Sequence, residues 1–190
     1  MQIDLDPRPL HRRALDDTTA LLADLTPAEL DRPTPCTDWD LRALLAHMIG
    51  QNHGFAAAVA DPDTPAEAFA PGPPDEWEKS ALALADAFAA APLDREVRLA
   101  ELHPTHRFPV ATVVGIQFID AVVHAWDVAT ALGRTYRPDD ELLAAAVAIT
   151  AMIPAEGGRG EPGSAFAEVV APSQPDDEWL AVLAHLGRAA

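Results

Sequence analysis

The sequence predicts a mainly α-helical fold in a single domain that spans residues 1–190. Hydrophobic residues make up 49% of the chain, which suits one globular domain that buries roughly 70% of its unfolded surface. Aromatic residues account for only 6% and alanine is abundant, so closely packed helices are favoured over a β-sandwich. Apolar side chains also recur at helical spacing through most of the chain.

Apolar stripes and their end signals predict the first three helices. The first covers residues 9–25, and the second covers residues 38–60 with Thr37 as its N-cap. The second helix carries leucines on one side and glycines and alanines on the other, which indicates packing on both faces. A proline-rich acidic stretch, 61–74, then predicts a long crossover loop before a third helix over residues 75–91.

The remaining elements are shorter, apart from one central helix over residues 109–133. Alternation predicts a short strand at 95–100, and a second strand at 166–170 is expected to lie beside it. Proline and acidic residues open two further helices, 138–153 and 176–186, where carboxylates complement the helix dipole. The glycine-rich segment between these two helices lacks the lysine of a phosphate-binding loop and is expected to be a mobile loop.

The central helix carries a polar stripe with apolar edges. Asp120 and His124 are four residues apart, so their side chains lie on neighbouring turns and can point at one object. Asp127 follows one turn later, where it could orient a ligand or cap a neighbouring helix. The structural alternative is a buried histidine that is satisfied by the aspartate of the adjacent turn.

A further histidine, His47, lies among the small residues of the second helix, where a neighbouring backbone can come close. An ordinary core histidine is the simpler interpretation of His47 alone. Together with Asp120 and His124, however, it forms a three-ligand set that leaves positions open for water or substrate. Such ligands suit Zn²⁺ and also Ni²⁺ or Fe²⁺. The single cysteine, Cys36, is a weaker candidate for chemistry, since no base lies beside it in sequence.

Charge and composition exclude several classes of function. The formal net charge of −17 argues against binding to nucleic acid or to an anionic membrane surface. The single cysteine allows no intrachain disulfide. The N-terminus has no apolar signal core. The longest apolar run, 142–153, is too short to span a bilayer. A cytoplasmic location is therefore expected.

Two segments resemble a known family: TPCTDWDLRALLAHMIGQNHGFAAAV and GIQFIDAVVHAWDVATALGR. They are similar to the actinobacterial metal-binding branch of the DinB/YfiT superfamily, and more closely to the N-terminal domain of mycothiol-dependent maleylpyruvate isomerase. The resemblance implies a DinB-like four-helix bundle with long crossover loops and a divalent metal, usually zinc, on three ligands. His47 and His124 match the family's histidines, and Asp120 occupies a position where relatives carry Glu or His.

The resemblance also implies a function. It suggests that an open metal position activates the thiolate of a low-molecular-weight thiol such as mycothiol, in an S-transferase or isomerase reaction on a small-molecule substrate. The isomerase has a further C-terminal domain, whereas this sequence ends in a short segment, so a related reaction is expected. Two alternatives stay open: a non-catalytic metal- or small-molecule-binding bundle, and an ion-free bundle with a buried Asp120–His124 pair. A homodimer is a reasonable expectation because related bundles often pair.

Overall fold

The structure, a computed structural model, describes residues 6–36, 39–157, 159–160 and 166–190. The chain divides into two compact units, Met1–Arg134 and Thr135–Ala190. The predicted N-cap Thr37 and the first residue of the predicted second helix lie outside the described residues, as do parts of the glycine-rich segment.

The first unit is a four-helix bundle, as expected. Its helices are α1 (Arg8–Leu22), α2 (Leu41–Ala60), α3 (Trp77–Ala90) and α4 (Val110–Ala131). Both α1 and α2 pack against α3 and α4, and the apolar side chains between them form the core. By length and composition α4 could cross a membrane, but 67% of its apolar window is buried inside the protein. This is the pattern of a core helix in a soluble protein.

The connector before α2 folds back on itself and fixes the start of that helix. Asp40, in an extended conformation, is the N-cap, and its side chain accepts a hydrogen bond from the Ala43 backbone N–H at 2.8 Å. The backbone N–H of Leu41 donates to the Arg32 carbonyl at 2.9 Å, which closes the loop between them. Helix α2 therefore begins at Leu41, three residues later than expected, and the closed loop carries Cys36 to the N-terminal end of the helix.

The small-residue side of α2 is covered by the crossover loop, which explains the glycines there. A Cβ atom added at Gly50 would lie 2.6 Å from the carbonyl oxygen of Ala70. At Gly54 the same addition would overlap the ring of Phe69. The expectation that α2 packs on both faces is confirmed, since leucines face the core and glycines face the loop.

We expect Gly50→Ala to destabilise the protein by about 1–3 kcal/mol, because the crossover backbone would have to move. Helix propensity acts in the opposite direction, since alanine in a helix interior is favoured over glycine by about 1 kcal/mol. Urea unfolding followed by circular dichroism measures the net change. A stabilised variant would contradict the close approach of the loop.

A short antiparallel hairpin connects α3 to α4. Strand β1 (Glu96–Arg98) pairs with β2 (Arg107–Pro109), and Val97 lies opposite Phe108. The expected strand near 95–100 is confirmed, but its expected partner at 166–170 is wrong, since that segment has no strand structure in the described residues. A hairpin between neighbouring segments closes a short loop, and its three-residue second strand is too short to give an alternating pattern.

A chain of buried polar groups crosses all four helices of the first unit. Nε2–H of His11 in α1 donates to Oε1 of Gln117 in α4 at 2.5 Å, and Nε2 of Gln117 donates to Oδ1 of Asn52 in α2 at 3.3 Å. Nδ2 of Asn52 donates to Ser80 of α3 at 3.0 Å, and the Ser80 hydroxyl donates to the Trp77 carbonyl. Each of these donors meets an acceptor, so the chain of hydrogen bonds fixes how the four helices are aligned.

His11 should make the stability of the protein depend on pH. Burial lowers the pKa of His11 to about 4, while the hydrogen bond to Gln117 opposes this shift. The imidazole is therefore neutral when folded but becomes protonated in the unfolded chain below pH ~6.5, so acid favours unfolding. We expect the contribution of His11 to the free energy of unfolding to be complete above pH ~6.5. Between that pH and pH ~4, we expect this free energy to fall by about 3 kcal/mol. Unfolding curves of the native protein and His11→Gln over this range measure it, and parallel pH profiles would contradict it.

The second unit contains α5 (Asp140–Thr150) and α6 (Glu178–His185), which pack against each other. The predicted acidic residues at the helix starts are confirmed for both, but each helix begins two residues later than expected, so Pro138 and Pro175 lie before the N-cap and not in the first turn. Asp139 accepts hydrogen bonds from the first backbone N–H groups of α5, and Asp177 does the same for α6. Hydrogen bonds from Arg137 and from these backbone groups lower the pKa of Asp177, as expected for a carboxylate at a helix N-terminus.

Candidate metal centre

Helices α2 and α4 bring the three predicted ligands together. Nε2 of His124 lies 3.3 Å from Oδ1 of Asp120, as their spacing on one helix face requires. The ring of His47 meets the ring of His124 edge-on, with 5.4 Å between the centroids. One donor atom from each of the three side chains lies within 4.8 Å of the other two. The ligand atoms of one tetrahedral zinc ion are about 3.4 Å apart. Small side-chain rotations would bring the three donor atoms to that separation.

The next turn of α4 orients His124. Oδ2 of Asp127 lies 2.9 Å from Nδ1 of His124, and Asp127 is completely buried. A carboxylate at this atom keeps a proton on Nδ1, which leaves Nε2, on the side of Asp120, as the nitrogen that could bind a metal ion in place of its proton. Of the two roles considered for Asp127, the structure supports orientation of the histidine.

Cys36 also reaches this carboxylate, which sequence spacing gave no reason to expect. Its Sγ donates to Oδ2 of Asp127 at 3.3 Å, although 91 residues separate the two. Cys36, His124 and Asp127 form a second group whose donor atoms could surround an ion. This second group uses the Nδ1 side of His124, whereas Asp120 lies on the Nε2 side.

The electrostatics of the site favour a positive charge. Burial by itself would lower the pKa of His124, but the charge of Asp120 and the hydrogen bonds to Asp120, Asp127 and Cys36 raise it well above its usual value. The protein therefore stabilises an imidazolium between two carboxylates. A cation bound by the same donors would replace that proton, so the residues present fit a divalent metal ion.

The site is sheltered on one side and open on the other. The indole of Trp39 stacks against His47 with 4.7 Å between ring centroids, and His124 is only 5% exposed. In contrast, 29% of the Asp120 side chain is exposed and His47 is half-buried. A small molecule could therefore approach beside Asp120.

A glutamate of the β1–β2 loop is bound by α2. The buried amide of Gln51, one turn beyond His47 in α2, donates from Nε2 to Oε2 of Glu101 at 2.9 Å. Partial burial and the charge of Asp120 raise the pKa of Glu101, while the hydrogen bond from Gln51 opposes the shift. Sequence analysis missed Glu101 because it lies in the hairpin loop, where no periodic pattern places a side chain.

Other charged residues of the first unit have partners of their own. His53 pairs with Glu76 at 3.5 Å. Arg42 binds Asp31 and Arg107 binds Asp63.

Comparison with known proteins identifies a family for this chain. Residues 11–129 match the family model described as the mycothiol maleylpyruvate isomerase N-terminal domain, and that range contains all three candidate ligands. Two uncharacterized proteins, from two strains of Mycobacterium tuberculosis, are each 32% identical over 169 residues, which is 86% of this chain and 87% of theirs.

The fold is also similar to a solved structure. The crystal structure of the mycothiol-dependent maleylpyruvate isomerase matches 76% of this chain and 68% of its own, with a TM-score of 0.56 and 16% identity. A histidine-to-alanine mutant of the isomerase gives a TM-score of 0.57 at 17% identity over the same shares. Because the family model covers more than half of the chain, the protein belongs to the family of the mycothiol maleylpyruvate isomerase N-terminal domain.

Proposed function

We propose that the protein binds a divalent metal ion, most typically zinc, through His47, Asp120 and His124, and uses it in a thiol-dependent transferase or isomerase reaction. The observation that carries the proposal is the convergence of the three donors from two helices, with a buried carboxylate behind one of them. Two imidazoles and one carboxylate suit zinc, with nickel and iron as alternatives.

The protein's own residues prepare this site in three ways. Asp127 holds a proton on Nδ1 of His124, so a metal ion would replace only the proton on Nε2. Trp39 covers one side of His47 and limits the access of water there. The partial exposure of Asp120 leaves space for a small molecule. When bound, the metal would supply a positive charge that favours a thiolate over a thiol at neutral pH.

The family supports a thiol as the co-substrate. The solved relative is mycothiol-dependent, and the match to the family model includes the candidate ligands. We therefore propose mycothiol or a similar low-molecular-weight thiol, together with a small electrophilic substrate. A cytoplasmic location, a homodimer and the lack of nucleic-acid or membrane partners stay predictions.

The proposal is tested by incubating zinc-loaded protein with thiols and a panel of electrophiles, and by measuring the loss of free thiol. We expect consumption that depends on the metal and disappears in His47→Ala, while His53→Ala retains it. Stoichiometric zinc without turnover, together with a large fall in melting temperature after chelation, would instead support the non-catalytic metal-binding bundle.

A further inference from the structure

The indole of Trp39 lies against a proposed ligand although it has no atom that can bind a metal ion itself. Its ring and the imidazole of His47 are 4.7 Å apart between centroids, with 40° between the ring planes. His124 approaches the same imidazole edge-on at 5.4 Å. Aromatic rings in such arrangements attract each other at centroid separations of about 4.5–7 Å. Two rings therefore contact His47, and only one of them belongs to the proposed ligand set.

The segment before α2 holds Trp39 in place. Its backbone N–H donates to the Cys36 carbonyl at 2.8 Å, and its carbonyl accepts from the Thr34 hydroxyl at 2.8 Å. Asp40, the next residue, is the N-cap of α2. The Cα–Cβ bonds of a helix tilt toward its N-terminus, so the side chain of His47 leans toward this end of α2. Trp39 is thus anchored at the end of the helix toward which His47 leans.

The orientation of each imidazole decides whether it can bind the ion. The last torsion of a histidine side chain has broad energy minima, so neighbouring groups have to select the ring orientation. For His124 this neighbour is Asp127, whose Oδ2 lies 2.9 Å from Nδ1. For His47 the indole of Trp39 restricts the ring by direct contact. A metal-bound imidazole also carries part of the ion's positive charge, which the face of an indole attracts.

We propose that Trp39 is a positioning residue of the metal centre. Its indole holds the His47 ring in the orientation that binds the ion, and it stabilises the metal-bound imidazole over the free one. Each histidine of the ligand set then has its own outer partner, which is a carboxylate for His124 and an indole for His47. This inference rests on the proposed metal site and is independent of the thiol reaction.

The test compares the zinc affinities of two Trp39 variants by competition with a chromophoric chelator. We expect Trp39→Leu to weaken zinc binding about tenfold, which corresponds to about 1.4 kcal/mol. Trp39→Phe keeps an aromatic face that attracts positive charge less strongly, so its loss should stay within about threefold. Trp77→Phe is the control, because the Trp77 indole donates to Thr19 at 2.9 Å, and its zinc affinity should stay within twofold. Circular dichroism verifies that each variant is folded.

A double-mutant cycle separates an action through His47 from a general effect on the fold. In the His47→Ala background, Trp39→Leu should change zinc affinity by less than twofold, because the ring on which it acts is absent. An equal loss in both backgrounds, or native zinc affinity in Trp39→Leu, would overturn the inference alone. Native zinc affinity in His47→Ala would instead show that the proposed metal site is wrong, and this inference fails with it.

Discussion

His124→Gln is expected to lower the affinity of the protein for Zn²⁺ by more than about a hundredfold, beyond the 10- to 100-fold typical of losing an outer-shell partner. His124 contacts both Asp120 and Asp127, so its removal takes away one metal ligand and breaks the contacts that hold these two carboxylates. Glutamine can still donate a hydrogen bond to the buried carboxylate, which limits the damage to the fold.

The affinity is measured by competition with a chromophoric chelator, using protein without a histidine tag. His53→Gln is the matched control, because His53 also lies in the first unit and its side chain is 38% exposed beside Glu76. We expect this control to bind zinc within twofold of the native protein. Native-like zinc affinity in His124→Gln, with native circular dichroism, would show that the ion is held elsewhere.

Asp127→Asn is expected to weaken zinc binding by about 10- to 100-fold although Asp127 is outside the proposed ligand set. The completely buried carboxylate accepts from Nδ1–H of His124 and so directs Nε2 toward Asp120. An amide is a weaker acceptor, and its NH₂ group favours the opposite tautomer of the imidazole. Zinc affinity and the pH dependence of zinc binding, measured together, report this change.

Cys36→Ser is the control for Asp127→Asn, since Cys36 contacts the same carboxylate oxygen at 3.3 Å. We expect serine to keep that hydrogen bond and to leave zinc affinity within about threefold. A loss as large as that of Asp127→Asn would contradict the proposed ligands and would favour the second group, formed by Cys36, His124 and Asp127.

Local spacing predicted those parts of the site that lie on one helix. Asp120, His124 and Asp127 follow from the period of α4, and the structure places all three side chains in contact along that helix. The contribution of His47 could be suggested from its small neighbours in α2. Its approach to His124, with 5.4 Å between the ring centroids, depends however on how α2 packs against α4, which no local pattern encodes.

Contacts between a loop residue and a distant helix could not be predicted. The bond of Cys36 to Asp127 spans 91 residues and that of Gln51 to Glu101 spans 50, so neither leaves a periodic signal. The buried chain from His11 to Ser80 was missed for a related reason. Its members lie on four different helices, and each one alone resembles an isolated polar residue in an apolar stripe.

The strand pairing also shows that a local pattern can identify an element without identifying its partner. The alternating segment at 95–100 predicts a strand, and the segment 166–170 was expected to lie beside it. The structure pairs β1 with Arg107–Pro109, directly before α4. Alternation identified a strand, whereas chain proximity decided its neighbour.

X-ray absorption spectroscopy at the zinc edge of the metal-loaded protein tests the central claim most directly. The claim predicts nitrogen and oxygen neighbours at about 2.0–2.2 Å, with multiple-scattering features of two imidazoles. His47→Ala should reduce those features to one imidazole. A sulfur neighbour at about 2.3 Å would contradict the assignment of His47, Asp120 and His124 as the ligands, and so would a two-imidazole spectrum that persists in His47→Ala.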